Sequence, residues 1–568
     1  MSLQKNYLVL IVLLMIFFGA IYAASRLDAD FGHVKMEEVR IPATGYEMSG
    51  LLYIPSEARP DRTRPAVVLA HGISNAKETL SGIALELSRR GVVALTVDLS
   101  GHGDSGGSLS SGDQSLGLID AVNFVKSEPY VDHSLIGVIG HSLGAGAARN
   151  TAHEDDSVVV TVFIGGGVGE RGEDSSYGTL SPTFPKNLLM AVGEQDILFD
   201  LQELDASLRQ VFGTAEQITI GRLYGSFASM DARELFVTPT IHLLEPISPA
   251  LVSEVVDWVS CAFASSLPDT GRLGLNYLYR EAALAVSLIA FVGLIAPLSR
   301  IVEAWFGERI EERPTVRHRF LRERSSLLIW GGLGLTLFLP AMFAGAIVAF
   351  PPLVFGSSMA WWLSMTGAFG LLVLKIMADR QPNGNVNIKE VLRGSFKAGD
   401  LVLSAVVFVI LYSLTWFCEA LFTEKLKMIV PIFGSLSLDR LQVLPLFIPF
   451  YLVYFTADGL YLHVYRDRQA AGSMAGNLMR VSGLKIAPYL GLLLVQYIPM
   501  FASNFRLIPG FIGFFVEFLW AILPLFLVSI FSSWWLYRLT GRIGFGAMFN
   551  SLLFAWVSAG LFPFGSIS

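Results

Sequence analysis

The sequence predicts an α/β domain built on a mostly parallel sheet, fused to an all-α membrane domain. Three observations carry this. Over residues 30–268, apolar runs such as Pro65-Ala66-Val67-Val68-Leu69-Ala70 alternate with segments of helical spacing. That is the pattern of strands covered on both faces. From residue 279 onward, apolar runs of about 20 residues recur, the length a helix needs to cross a bilayer. The whole chain of 568 residues is 53% hydrophobic with a mean hydropathy of +0.54, far above a soluble average.

Residues 7–24 form a continuous apolar segment after Lys5, which reads as a signal anchor or a cleaved signal peptide. Cleavage after Ala23 or Ala24 would leave Ile21 or Tyr22 at the −3 position, a poor fit. Cleavage after Ser25 would put Ala23 there. An anchor over 1–25 is the favoured reading, and either way the next domain is sent across the membrane. Residues 35–55 alternate polar and apolar, as an opening antiparallel pair does. Strands follow at 65–70, 91–98, 135–140, 158–164 and 187–192, with a last one at 234–243. Helices fall at 79–90, 111–126, 143–152 and 200–211. An amphipathic helix at 249–265 places Val252, Val255, Val256, Val259 and Phe263 on one face.

The membrane domain, 279–568, opens with a span at 282–298. Seven arginines between Arg300 and Arg324 follow, which marks that loop as cytoplasmic. Further spans are expected at 326–350, 353–378, 401–422, 443–464, 486–504, 510–537 and 545–564. Basic residues at Arg380, Lys389, Arg393 and Lys397, at Arg466, Arg468, Arg480 and Lys485, and at Arg538 and Arg542 fall on the arginine side. Lys425, Lys427 and Arg440 fall on the opposite side. The amino terminus is then cytoplasmic and the α/β domain lies outside, as part of a multi-pass integral membrane protein.

Gly140-His141-Ser142-Leu143-Gly144 sits between an apolar strand and a small-residue helix. G-x-S-x-G in that context is a nucleophile elbow, a sharp turn that lifts a serine above the sheet edge. Acyl transfer also needs a base, a carboxylate to orient it and N–H donors for the oxyanion. On this scaffold they follow in the order serine, acid, histidine. Of nine histidines, His242 is the one beyond the serine's helix and ahead of the membrane domain. Asp196 follows a strand and is the best candidate acid, with Glu194 and Asp200 as alternatives. His71-Gly72-Ile73-Ser74 follows strand 65–70, so the backbone N–H groups of Ile73 and Leu143 are the expected oxyanion donors.

These motifs resemble the α/β-hydrolase superfamily, in particular its lysophospholipase, monoglyceride lipase and dienelactone hydrolase-like members. The matching residues are His71-Gly72, Asp98 with Gly101-His102-Gly103-Asp104-Ser105, the elbow, Gly193 with Asp196, and His242, within residues 35–265. The resemblance implies an eight-stranded, mainly parallel sheet and a serine hydrolase with Ser142 as nucleophile, Asp196 as acid and His242 as base. It implies a structural role for Asp104, holding its loop. The chain departs from lipases in the segment before the acid. Only about twenty residues, 165–185, stand where many carry a helical cap, so the site is open or covered by the membrane domain. The stretch from Asp196 to His242 is long and includes 221–230, which can shape the pocket.

Ionisable residues within spans are costly in lipid and so are functional candidates. Asp458, Glu419 and Glu517 qualify, and Asn550 is a weaker case. The alternative is hydrogen bonding between helices. Trp361, Trp362, Trp534, Trp535 and Tyr537 near span ends read as interface belts. The net charge of −7 gives no reason to expect nucleic acid. Cys261 and Cys418 do not make a disulfide framework. Scattered histidines suggest no metal site, and no cofactor is implied. The expected function is hydrolysis of carboxylic esters or thioesters, with a small-molecule ester or a lipid as substrate and membrane lipids as neighbours. The alternatives are a transporter or lipid-handling protein with an accessory hydrolase domain, and a serine peptidase of the same fold.

Overall fold

The computed structural model describes residues 2–110, 112–168, 178–201, 204–268, 273–306, 323–380, 388–423, 425–427, 432–465 and 474–565. A long helix, α1 (Leu3–Asp28), leads directly into an eight-stranded sheet. Its strands are β1 (Val34–Ala43), β2 (Tyr46–Pro55), β3 (Arg64–Ala70), β4 (Val93–Val97), β5 (Val131–His141), β6 (Val158–Ile164), β7 (Leu188–Gly193) and β8 (Arg233–Thr238). The order across the sheet is β1-β2-β4-β3-β5-β6-β7-β8. β1 and β2 form an antiparallel pair, β2 joins β4 antiparallel, and every later pairing is parallel.

The apolar runs are continuous because both faces of the sheet are covered. In β3, Ala66, Val68 and Ala70 point to one core, while Val67 and Leu69 point to the other. This is the two-residue period of a strand serving two layers. Helices α3 (Leu118–Ser127), α4 (Leu143–Glu154) and α5 (Asp205–Phe212) cover the first face. Helices α2 (Ser81–Ser88) and α6 (Pro249–Ala262) cover the second.

Three of the boundaries that differ from the sequence reading have a clear local cause. α3 starts at Leu118, because Asp113 accepts the N–H groups of Ser115 and Gly117 and turns the chain before the helix. α5 starts at Asp205, because Asp196 and Asp200 are engaged in the preceding loop. β8 stops at Thr238, so His242 does not end a strand but opens a 3-10 turn, His242–Ile247.

The second half is helical: α7 (Tyr277–Phe306), α8 (Glu323–Val348), α9 (Gly356–Asp379), the short α10 (Ile388–Ser395), α11 (Ala398–Phe422), α12 (Leu438–Tyr465), α13 (Met474–Ser503), α14 (Gly510–Thr540) and α15 (Gly544–Leu561). Among the described residues, nine helices, counting α1, are long and apolar enough to cross a membrane. α1 lies along α7, with Phe17 and Phe291 ring centroids 5.8 Å apart. α15 is buried along most of its length. Three of the expected interface aromatics, Trp362, Trp534 and Tyr537, belong instead to the bundle core. Trp362 is buried and donates to Gly334 O at 2.8 Å, and Trp534 is buried as well. Most of the arginine loop, with Arg466 and Arg468, lies outside the described residues.

The segments after α11, α13 and α15 meet the α/β domain through Lys425, Arg506 and Phe564. The carboxyl end of the sheet therefore faces the bundle.

Candidate active site

β5 ends at His141 and α4 begins at Leu143, so Ser142 alone makes the turn. Its φ and ψ are 52° and −116°, a conformation that strains any residue with a side chain. Two glycines make room for it. A Cβ on Gly140 would meet Gly144 O at 2.0 Å, and one on Gly144 would meet Ala70 O at 2.2 Å. As the first residue of α4, Leu143 has an N–H with no helical acceptor. Among the described residues, neither the Leu143 nor the Ile73 N–H donates to a protein acceptor. The turn carrying Ile73 is braced by His71. Its Nε2 accepts from Leu99 N–H at 3.2 Å, so Nδ1 carries the proton and donates to Gly72 O at 2.7 Å.

His242 Nδ1 lies 2.9 Å from Asp196 Oδ2. The other carboxylate oxygen, Asp196 Oδ1, accepts the N–H groups of Leu198 at 2.7 Å and Phe199 at 3.2 Å. With Nδ1–H donating to Asp196, Nε2 is left as the basic nitrogen. His242 and Ser142 line the same cavity, although Ser142 Oγ makes no hydrogen bond to His242 in this arrangement. Burial disfavours the charged imidazole, but Asp196, then Glu245 and Glu517, outweigh it, and His242 is pushed up to about 10. Of the alternative acids, Asp200 pairs with Arg506 at 2.7 Å.

Sequence reading missed a second buried carboxylate. Glu245 is fully buried, one turn after His242. Its Oε1 accepts Gly193 N–H at 2.6 Å, and its Oε2 lies 3.3 Å from His141 Nε2 and 3.4 Å from His242 Nδ1. Burial, then the charge of Asp196, push its pKa well above the carboxylate range. Burial, then the nearby His242, hold His141 well below the usual imidazole range. The ligand atoms of His141, His242 and Glu245 lie within 4.8 Å of one another, close enough to share a metal ion. His242 Nδ1 is already bonded to Asp196, which favours a proton network over a metal centre at this spot.

The cavity above Ser142 encloses about 500 Å³ of empty space, part of it open to solvent. Its floor is the α/β domain: Gly72, Ile73, Ser142, His242 and Leu243. Its roof is the bundle: Phe514, Glu517, Phe518 and Ala521 of α14, with Leu561 of α15. The bundle thus stands where a lipase cap would. Glu517 does more than line the cavity, because its Oε1 accepts the N–H of Leu243 at 2.8 Å.

Three cationic contacts fix the bundle on the site. Arg506 donates to Asp196 O at 3.1 Å and Phe199 O at 3.3 Å, besides pairing with Asp200. Arg440 is buried and donates to Gly101 O at 2.9 Å and Gly103 O in the α/β domain, and to Phe562 O at 3.0 Å in the bundle. Lys77, also buried, meets Asp98 at 3.1 Å and Asp104 at 2.8 Å, and Lys425 reaches Asp104 from the bundle. Burial opposes their charges, but Lys425 and Lys77 hold Asp104 well below the usual carboxylate range. Asp104 therefore holds both its own loop and the bundle.

The other acids singled out within the long apolar helices lie away from the cavity. Asp458 pairs with Lys485 at 2.5 Å and accepts from Trp330 at 2.9 Å. Lys485, which the sequence places in a loop, sits within α13. Glu419 accepts from Ser435 N–H at 2.7 Å, and Asn550 bonds Ser532 at 2.6 Å. These are contacts between helices or with an adjoining turn.

Residues 67–326 match the model of the alpha/beta hydrolase family, and the domain has the α/β-hydrolase fold. Uncharacterized protein YcjY of Escherichia coli (strain K12) is 29% identical over 113 residues, covering 19% of this chain and 37% of that protein. Uncharacterized protein PA2218 of Pseudomonas aeruginosa is 34% identical over 123 residues, covering 21% of this chain and 33% of that protein. The chain thus spans about a third of the length of these curated relatives. Among solved structures, Pyrococcus furiosus esterase Pf2001 is similar at 19% identity and a TM-score of 0.31, covering 41% of this chain and 94% of that one.

Proposed function

We propose that the protein is a membrane-bound serine hydrolase that cleaves carboxylic esters or thioesters, with lipid or acyl compounds as substrates. The observation that carries this is the strained Ser142 at the elbow, sharing one cavity with a His242 whose Nδ1 is held by Asp196. In this reading His242 Nε2 takes the proton of Ser142 Oγ as the oxygen attacks the acyl carbon. The N–H groups of Ile73 and Leu143 stabilise the oxyanion. His242 then returns the proton to the leaving alkoxide or thiolate as the bond to the acyl carbon breaks. A water, deprotonated by the same nitrogen, releases the acid and restores Ser142. An amide substrate would follow the same path. Hydrolysis of simple acyl esters by the purified protein, lost in Ser142→Ala, tests this reading.

The proposed topology has a cytoplasmic amino terminus and the hydrolase on the outer face. The arginine loop supports it, together with the contacts of Lys425, Arg506 and Phe564 with the α/β domain. Cys261 is exposed on α6, and Cys418 is buried. A membrane-impermeant maleimide should therefore label right-side-out vesicles at Cys261. Labelling only after permeabilisation would reverse the orientation.

A further inference from the structure

Resting on the serine hydrolase reading, we propose that the roof of the cavity is an acyl-chain site, with Phe514, Phe518 and Ala521 of spanning helix α14 as its wall. The substrate is then a long-chain acyl ester that enters from the bilayer, and the helical domain is the acyl-binding half of the active site.

Four observations lead there. The side chains that α14 and α15 present to Ser142 are apolar except for Glu517, which is bonded to the Leu243 N–H. With Ile73 and Leu243 below, this side of the space suits a hydrocarbon chain, while Ser74 and Asn75 line the α/β side, where a polar leaving group can lie. The roof belongs to a helix long and apolar enough to span, so a chain lying in the cavity runs beside an element embedded in lipid.

Contact at this end is also unusually close. A Cβ on Gly513 would meet Ile197 Cγ1 at 2.5 Å, so the first turn of α14 sits directly against the loop carrying Asp196. Finally, exposed apolar side chains cluster on the segments that meet here. Leu198 follows the acid, Leu244 follows the base, Phe505 and Leu507 flank Arg506, and Ile512 lies in the first turn of α14. Such a rim is costly in water and favourable at a bilayer surface.

The test compares kcat/KM for p-nitrophenyl butyrate and p-nitrophenyl laurate with the full-length protein in one detergent. Wild type should favour laurate at least tenfold. Ala521→Trp, which fills the cavity from α14, should lower the laurate-to-butyrate ratio at least tenfold. Leu527→Trp, on an exposed face of α14, should leave the ratio within twofold, which controls for partition of the esters into detergent. If Ala521→Trp does not elute as a folded monodisperse species, Phe518→Ala replaces it. Widening the cavity should raise the palmitate-to-laurate ratio at least threefold.

A wild type indifferent to chain length, or a ratio that neither cavity variant shifts, would overturn the acyl-chain site while leaving the hydrolase standing. Failure of wild type to hydrolyse any of these esters, with no reaction at Ser142 toward a fluorophosphonate, would instead overturn the hydrolase reading, and the acyl-chain site with it.

Discussion

The N–H of Leu243, next to the candidate base His242, donates to Glu517 Oε1 of helix α14 at 2.8 Å. A residue from the helical half of the chain thus holds the loop that carries His242. A hydrogen bond to a charged acceptor is worth roughly 1.5–3 kcal/mol. Glu517→Ala should lower kcat/KM by about 10- to 100-fold by this measure. Glu517→Gln keeps a carbonyl acceptor for Leu243 and should recover most of that loss. Steady-state kinetics on both variants checks it.

The same contact makes a prediction about pH. As the proposed base, His242 must be neutral to accept a proton from Ser142, so kcat/KM should rise as pH climbs through its pKa. Burial lowers that pKa, but the surrounding carboxylates push it up to about 10. The acidic limb should therefore lie on the alkaline side of an ordinary histidine. Glu517→Gln removes one negative neighbour and should move the limb to lower pH. A pH profile of kcat/KM for wild type and variant reads both.

The two acids beside His242 should differ sharply. Asp196 is at 2.9 Å from Nδ1, whereas Glu245 is at 3.4 Å and is pushed by burial, then by Asp196, toward its protonated form. Asp196→Asn should favour the wrong tautomer of His242 and cost on the order of 10⁴ in kcat. Glu245→Gln resembles the protonated acid and should keep activity within about tenfold, a loss of up to ~1.4 kcal/mol. Equal losses in the two variants would reverse these roles.

Arg440 joins the carbonyls of Gly101 and Gly103 to that of Phe562, so Arg440→Ala removes the donor of Gly103 O on one side of the interface and of Phe562 O on the other, while Gly101 O keeps the N–H of Phe564. Each such group costs about 1–3 kcal/mol. The variant should unfold at lower temperature in detergent, and protease should release its α/β domain sooner than that of wild type. Arg440→Lys, lacking the planar fork, should restore only part of the stability.

Much of the α/β domain was legible in the sequence because its signals are local. The apolar runs fall on strands, the elbow glycines surround Ser142, and Asp196 follows β7 within three residues. His242 was legible by elimination, but its setting was not, since Thr240 and Ile241 leave the strand before it. Glu245 was missed because one glutamate in a loop has no pattern of its own. Burial against Gly193 gives it significance. Glu517 was singled out as an acid in a span, yet nothing local says that it meets Leu243, 274 residues away. Asp458 looked the same in sequence and is an ion pair within the bundle instead. Trp362, Trp534 and Tyr537 were misread because position near a span end does not tell which face a side chain presents.

The central claim is that Ser142 is an activated nucleophile. Fluorophosphonate labelling of the purified full-length protein tests it most directly, comparing wild type with Ser142→Ala, His242→Ala and Asp196→Ala. The prediction is labelling of wild type, none in Ser142→Ala, and strongly slowed labelling in the other two. Folded wild-type protein that does not label, or Ser142→Ala that labels like wild type, would contradict it.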